Sequence, residues 1–254
     1  MQIRLLGAHQ GESRDTRFLS ILVDEVLAVD AGSLASALTF AEQQRLRAIL
    51  VTHYHYDHIK DIPSIGFNNP GSTPMSIYAL ATTRQALQTH LMNDSVWPRL
   101  DALPDGAPRV RYVDVTPGVA VELDGYRVLP LSMSHTVPTV GFLMARDGKS
   151  FFYTSDTRGG AHEVWAAIAP DLIISEATLP DEQEAEAERF GHMTPRMLAR
   201  ELAEFRSIHG YIPRTVAVHI NARFEDRVRA DLERAALALG SPIEIGYAGM
   251  TVSL

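Results

Sequence analysis

Thr52-His53-Tyr54-His55-Tyr56-Asp57-His58 places four potential metal ligands within six residues, directly after the apolar run Ala48 to Thr52. A short, fully apolar run of this kind reads as a buried strand, so the ligands begin where the strand ends and a loop can turn them inward. His53 and His55 can point together at one ion, which leaves Asp57 and His58 free to serve a second. Imidazole and carboxylate suit zinc, iron or manganese without sulfur. Four ligands cannot complete two sites, and further ligands are therefore expected at the ends of other strands. His135 follows the run Arg127 to Met133, Asp156 follows Phe151 to Thr154, and His219 lies in the apolar strand Val216-Ala217-Val218.

Working outward from this motif, the chain before it is β-rich: Ile3 to Leu6, Phe18 to Val23 and Val26 to Asp30, the last two joined at Asp24-Glu25. Leu34 to Arg47 sets Leu34, Leu38, Ala41 and the stem of Arg45 on one face, a helical spacing, with Ser33 as the N-cap. Beyond Ile59, Pro63, Pro70, Gly71 and Pro74 interrupt the chain before a strand over Ser76 to Leu80 and a helix starting at Thr82 or Thr83. Asp124-Gly125 and Asp147-Gly148 lie between apolar or alternating runs and predict hairpins. The second joins Val140 to Ala145 with Ser150 to Thr154.

From Leu172 the order is strand (Leu172 to Ser175), charged loop (Asp181 to Arg189), helix, strand (Thr215 to Ile220), helix and a final strand pair. The first of these helices follows Thr194-Pro195, carries Leu198, Leu202 and Phe205, and stops before Gly210. The second shows Val228, Leu232, Ala235 and Leu239 before Gly240. Each half of the chain thus runs strands, helix, then a strand ending in histidine. Two such α/β halves packed sheet on sheet, with helices outside, predict a four-layer αββα sandwich. No stretch is long or polar enough to be a linker, so residues 1–254 read as a single domain.

Composition narrows the chemistry. The 254 residues are 46% hydrophobic and 21% charged, ordinary values for a chain that buries a full core. There is no cysteine, which excludes thiolate metal sites, iron–sulfur clusters and cysteine nucleophiles. The formal net charge of -8 argues against an extended nucleic-acid surface, since phosphate binding shows as clustered Lys and Arg. Met1 to Gly11 lacks a secretory pattern and no apolar run approaches membrane-spanning length, so a cytoplasmic protein with no membrane contact is expected.

With these residues assembled, the chain resembles the metallo-β-lactamase superfamily over nearly its whole length. The resemblance implies that His53, His55 and His135 bind one metal, that Asp57, His58 and His219 bind the other, and that Asp156 bridges them. Two divalent ions are implied, zinc first, with manganese or iron admissible. Val29-Asp30-Ala31-Gly32 looks like the family's early aspartate turn, where Asp30 is structural and not a ligand.

Within the family, Asn93 to Pro98, Ser134-His135 through Leu143, Glu176 with Pro180 to Gln183, and Gly191 to Pro195 are similar to class II cyclic-nucleotide phosphodiesterases. Glu176 and His192 also resemble a tRNase Z pair that helps protonate the leaving oxygen. The implied reaction is hydrolysis of a small phosphodiester, such as a 3',5'-cyclic nucleotide, by a metal-bridging hydroxide. Asp57 would orient the hydroxide, and His192, assisted by Glu176, would act as acid.

The chain departs from the phosphodiesterase pattern at Tyr56, at Lys60-Asp61-Ile62 and at His9. The same metals would also suit a tRNase Z-like endoribonuclease, a lactonase or thioesterase, or a metal-binding protein without activity. A tRNase Z would be expected to carry a basic arm, and none is evident here. The segment Phe67 to Pro74 is a candidate cover over a partner's site in a homodimer.

Overall fold

A computed structural model describes residues 1–69 and 73–254. Three of the residues expected to cover a partner, 70–72, lie outside the described residues.

The first sheet holds β1 (Gln2–Gly7), β2 (Ser20–Val23), β3 (Leu27–Val29), β4 (Ala48–Leu50), β5 (Met75–Ala79) and β6 (Val110–Asp114), with the last strand of the chain, β14 (Thr251–Ser253), at its edge. The second holds β7 (Val121–Leu123), β8 (Tyr126–Met133), β9 (Thr139–Arg146), β10 (Lys149–Tyr153), β11 (Leu172–Glu176), β12 (Arg214–Val218) and β13 (Glu244–Ile245). Their orders are β14-β1-β2-β3-β4-β5-β6 and β13-β12-β11-β10-β9-β8-β7. In both sheets antiparallel pairing changes to parallel, at β3–β4 in one and at β10–β11 in the other.

Nine α-helical segments are seen among the described residues. They are α1 (Leu34–Ala37), α2 (Phe40–Gln43), α3 (Tyr56–Ile59), α4 (Ile62–Asn68), α5 (Ala81–Ala86), α6 (His162–Ala167), α7 (Glu184–Phe190), α8 (Pro195–His209) and α9 (Glu225–Leu239). Three apolar clusters make the layers. Ile21, Leu50, Phe142, Tyr153 and Val216 meet between the sheets. Leu34, Leu38, Ile62 and Leu87 pack helices on the first sheet, and Leu198, Leu202, Phe205 and Leu232 pack α8 and α9 on the second. Alternate residues of each strand feed opposite faces, so both sheets are covered on both sides. The architecture is the predicted four-layer sandwich.

Several local expectations are corrected. The helix expected over Leu34 to Arg47 is two short ones, because Leu38 is extended and Thr39 starts α2 with a capping box to Glu42. The charged loop Asp181 to Arg189 is instead a 3-10 turn followed by α7. Glu184 and Glu186 sit in its first turn, Arg189 in the last, and Gly191 closes it with a left-handed cap. The final two strands do not pair, since β13 and β14 belong to different sheets. Pro63 does not break the chain but lies in the first turn of α4, where a missing N–H costs nothing. The short α6 was not foreseen.

Candidate metal centre

The candidate ligands converge because the strands that carry them end on one edge of the sandwich. β3 and β4 run parallel in the first sheet. β10, β11 and β12 run parallel in the second, with β8 aligned to them through the antiparallel β9. Carboxyl ends of such strands are where open α/β sheets place their ligands. His53 and His55 follow β4, and Asp57 and His58 project from α3, a helical turn where a loop was expected. His135 follows β8 and Asp156 follows β10. His219 sits one residue past β12, not within the strand, and adopts a left-handed backbone with φ 59°.

The ligand atoms of His53, His55, His135 and Asp156 all lie within 4.8 Å of one another, as do those of Asp57, His58 and His219. Asp156 stands between the two groups. Its Oδ2 is 3.7 Å from His53 Nε2 and 3.4 Å from His58 Nε2, and its Oδ1 is 3.6 Å from His219 Nε2. All seven residues expected as ligands are therefore brought together.

Hydrogen bonds behind the imidazoles decide which nitrogen faces inward. His58 Nδ1 donates to Asp30 Oδ2 at 2.8 Å. Thr52 Oγ1 donates to Asp30 and accepts from His53 Nδ1 at 3.0 Å. His135 Nδ1 donates to the Gly191 carbonyl at 2.7 Å. His219 Nδ1 donates at 3.0 Å to Thr178 Oγ1, whose own proton goes to Glu176 Oε2 at 2.6 Å. Each partner holds a proton on Nδ1, so that Nε2 is the nitrogen that faces the centre, as metal-ligating histidines require.

The donor set fits divalent metal on its own terms. His53 Nε2, His58 Nε2 and Asp156 Oδ1 are buried polar atoms with no hydrogen-bond partner among the described residues, a costly condition unless a cation completes them. With its Nδ1 proton on Thr178, His219 turns its Nε2 lone pair toward Asp57 Oδ2 at 3.2 Å. Two acceptors so close call for a proton or a metal between them.

Electrostatics agree. Burial, reinforced by the neighbouring His58, holds the His53 pKa well below its usual value, so that ring stays neutral. Burial also lowers His55 and His135. Burial opposes charge on His58 too, yet Asp156, Asp57 and Asp30 together carry it well above the ordinary range. Burial would raise the carboxylate of Asp156, but His219 and His58 outweigh it and hold it well below. Asp57 is likewise lowered against its burial, chiefly by His58.

Glu176 and His192, expected near the metals, are there. His192 Nδ1 is 3.2 Å from Glu176 Oε1 and 3.9 Å from Asp156 Oδ2. Burial works against a charge on His192, but Glu176 lifts its pKa to about 9. Ligand atoms of Asp156, His192 and His219 also lie within 4.8 Å of one another, so the geometry admits His192 as a ligand as well as a proton donor. Glu176 is fully buried and also accepts from the backbone N–H of Thr157 at 2.6 Å and of Met193 at 3.0 Å. It thereby ties the Asp156 loop to the His192 loop.

The supporting roles of Thr52, Tyr153 and Thr178, and of the Gly191 carbonyl, were not read from the sequence. Thr52 adjoins His53, Gly191 adjoins His192 and Thr178 lies two residues from Glu176, the one signal available. Among the described residues no helix is long and apolar enough to cross a membrane.

Comparison with known proteins adds the following. The profile described as "Beta-lactamase superfamily domain" matches residues 20–220. A 3',5'-cyclic-nucleotide phosphodiesterase of Aliivibrio fischeri is 28% identical over 227 residues, covering 72% of this chain and 67% of that protein. A ribonuclease Z of Halorubrum lacusprofundi is 25% identical over 231 residues, covering 69% of this chain and 70% of that protein. The chain thus spans about two thirds of the length of either relative. Among solved structures, unliganded yeast PDE1 superposes with a TM-score of 0.82 at 17% identity, covering 100% of this chain and 99% of that one, a likeness of fold.

Proposed function

The chain belongs to the metallo-β-lactamase superfamily, and on that premise we propose that it is a binuclear metal-dependent phosphodiesterase acting on small phosphodiesters, with 3',5'-cyclic nucleotides the first substrates to try. The observation that carries the reading is the Glu176–His192 pair set beside the two ligand groups that share Asp156. An alkoxide leaving a phosphodiester needs a proton at the departing oxygen, which such a pair is placed to supply. The named activities of the two sequence relatives, cyclic-nucleotide phosphodiesterase and ribonuclease, share cleavage of a P–O bond. The net charge of -8 favours the small substrate over a long polyanion.

In this reading His53, His55 and His135 would hold one metal and Asp57, His58 and His219 the other, with Asp156 available to both. Dications bound there would supply water of lowered pKa and positive charge to offset that developing on the phosphoryl oxygens. Asp57 remains ionised, and its carboxylate can accept a hydrogen bond from the attacking water and so aim it at phosphorus. Glu176 holds His192 through Nδ1, which leaves Nε2 to face the departing oxygen. The backbone donors from Thr157 and Met193 keep the Glu176 carboxylate in place while the ring works. Burial of Asp156, His53 and His58 excludes bulk water from the centre, which strengthens each of these interactions.

The test measures bound metal together with turnover of cyclic AMP, bis(p-nitrophenyl) phosphate, an acyl lactone and a precursor tRNA. Folded, metal-loaded protein inert toward every phosphodiester would overturn the proposal, and preferential lactone turnover would move it to carbonyl chemistry. Asp156→Ala abolishes metal and activity together. His192→Ala keeps its metal and loses about 10²–10⁴-fold in kcat, the usual worth of a general acid. Loss of metal in that variant would instead make His192 a ligand.

A further inference from the structure

We infer that Gln10 contacts the substrate, donating through its amide nitrogen to the leaving oxygen that His192 Nε2 also serves. The geometry begins at a backbone N–H, which can only donate. The N–H of Arg223 donates to Asn221 Oδ1 at 3.1 Å, so the other end of that side chain is its NH₂. Asn221 Nδ2 donates to Gln10 Oε1 at 2.9 Å. Gln10 must therefore present its own NH₂ at the opposite end, and that nitrogen lies 3.5 Å from His192 Nε2.

Both side chains in this relay sit on anchored backbone. Gln10 N donates to the Ile220 carbonyl at 3.1 Å and Asn221 N to the Thr178 carbonyl at 3.0 Å, in the segment that carries His219. The amide is thus aimed by the same strand end that supplies a candidate metal ligand.

A separation of 3.5 Å is long for a bond between the two nitrogens. It is well suited to one oxygen placed about 2.9 Å from each, the ordinary N–H···O distance. A neutral amide N–H aimed at the point where an alkoxide forms costs no reorganisation when charge develops there. No proton leaves Gln10 in this role. The inference rests on the phosphodiesterase reading for the identity of that oxygen.

The experiment compares the metal-loaded wild type with Gln10→Ala and Gln10→Glu on cyclic AMP, whose leaving group is an alkoxide, and on bis(p-nitrophenyl) phosphate, whose nitrophenolate needs little stabilisation. Alongside, calorimetry measures binding of 5'-AMP, which carries the released alcohol, and of inorganic phosphate, which does not. Both variants are expected to lose about 10²-fold in kcat on cyclic AMP, the scale of one such donor, and under about threefold on the nitrophenyl ester. Binding of 5'-AMP weakens while phosphate binding holds.

Gln10→Glu keeps the shape but has no donor, so recovery of activity in that variant would reduce Gln10 to packing and refute the inference. So would an equal loss on both esters, or a loss of metal. Wild type inert to phosphodiesters sinks the functional reading. The 5'-AMP comparison then judges Gln10 separately, and wild type that binds no 5'-AMP refutes both.

Discussion

Replacing Asp30 by asparagine removes one charge and no volume, and it tests whether the residues behind the imidazoles set metal affinity. Asp30 is completely buried. It accepts from Thr52 N at 2.9 Å, Thr52 Oγ1 at 2.9 Å, His58 Nδ1 at 2.8 Å and Tyr153 OH at 3.3 Å. In Asp30→Asn the surviving oxygen can keep the Thr52 backbone donor, which leaves the new NH₂ facing His58 Nδ1. Two donors cannot share that contact, so His58 gives up its Nδ1 proton and carries its remaining one on Nε2, the atom meant for metal.

Loss of such a supporting group typically weakens metal binding about 10–100-fold, or about 1.4–2.8 kcal/mol. The site holding His58 should lose the most. His53, which reaches Asp30 only through Thr52, should lose less. Titration against a chromophoric chelator at neutral pH, with circular dichroism to confirm the fold, reads both constants. Affinities within about threefold of wild type at both sites, against the expected loss, would refute the tautomer argument. A larger loss at the His53 site would misplace it.

Three further outcomes are expected. A methyl group on Gly191 would lie 2.5 Å from His135 Nδ1, on a residue whose φ is 81°. Gly191→Ala should therefore displace that ring and weaken the His53 site by more than about tenfold while the fold persists, seen by metal analysis. Glu201 accepts from Gly160 N at 2.7 Å, Ala161 N at 3.1 Å and Trp165 Nε1 at 2.7 Å. Glu201→Ala orphans all three and should cost about 3–5 kcal/mol in urea unfolding of the metal-free protein, with Glu201→Gln losing less.

The third concerns protons. Because the His58 pKa is raised well above its usual value, metal-free protein holds that ring charged at neutral pH. Binding metal through Nε2 must expel a proton, so affinity rises with pH until the folded pKa is passed. Calorimetry in buffers of different ionisation enthalpy counts that proton. His53, held neutral by burial, contributes none.

The two levels of the molecule were legible in the sequence to different degrees. His53, His55, Asp57 and His58 are visible because four ligands crowd one strand end, and local crowding survives in a linear string. His135, Asp156 and His219 could be placed at strand ends by pattern, but nothing in a string says that three strand ends meet. Parallel pairing of β10, β11 and β12 is what brings them together. The two helices over Leu34 to Arg47 escaped because hydrophobic spacing stays helical across Leu38, while the Thr39–Glu42 hydrogen bonds that restart the helix are a stronger local signal than periodicity. Gln10 escaped entirely, since its role depends on the orientation of Asn221, 211 residues away.

One further pattern links fold to chemistry. Of the non-glycine residues with positive φ, Asp24, Glu25, Asp124 and Asp147 sit in turns between strands, where such backbone is ordinary. Asp30, Ser155 and His219 have φ near 60° and stand one residue beyond β3, two beyond β10 and one beyond β12, around the candidate centre. A left-handed residue reverses the direction of the chain within one position, which lets a side chain at a strand end turn inward where the next extended residue would carry it away. Each costs on the order of 1 kcal/mol relative to right-handed backbone, and asparagine, aspartate and histidine tolerate it best. The fold accepts that strain at three strand ends because the hydrogen bonds of Asp30, the approach of Asp156 and the lone pair of His219 all depend on it. Glycine at Asp30 or His219 would relieve the backbone and remove the side chain for which the turn exists.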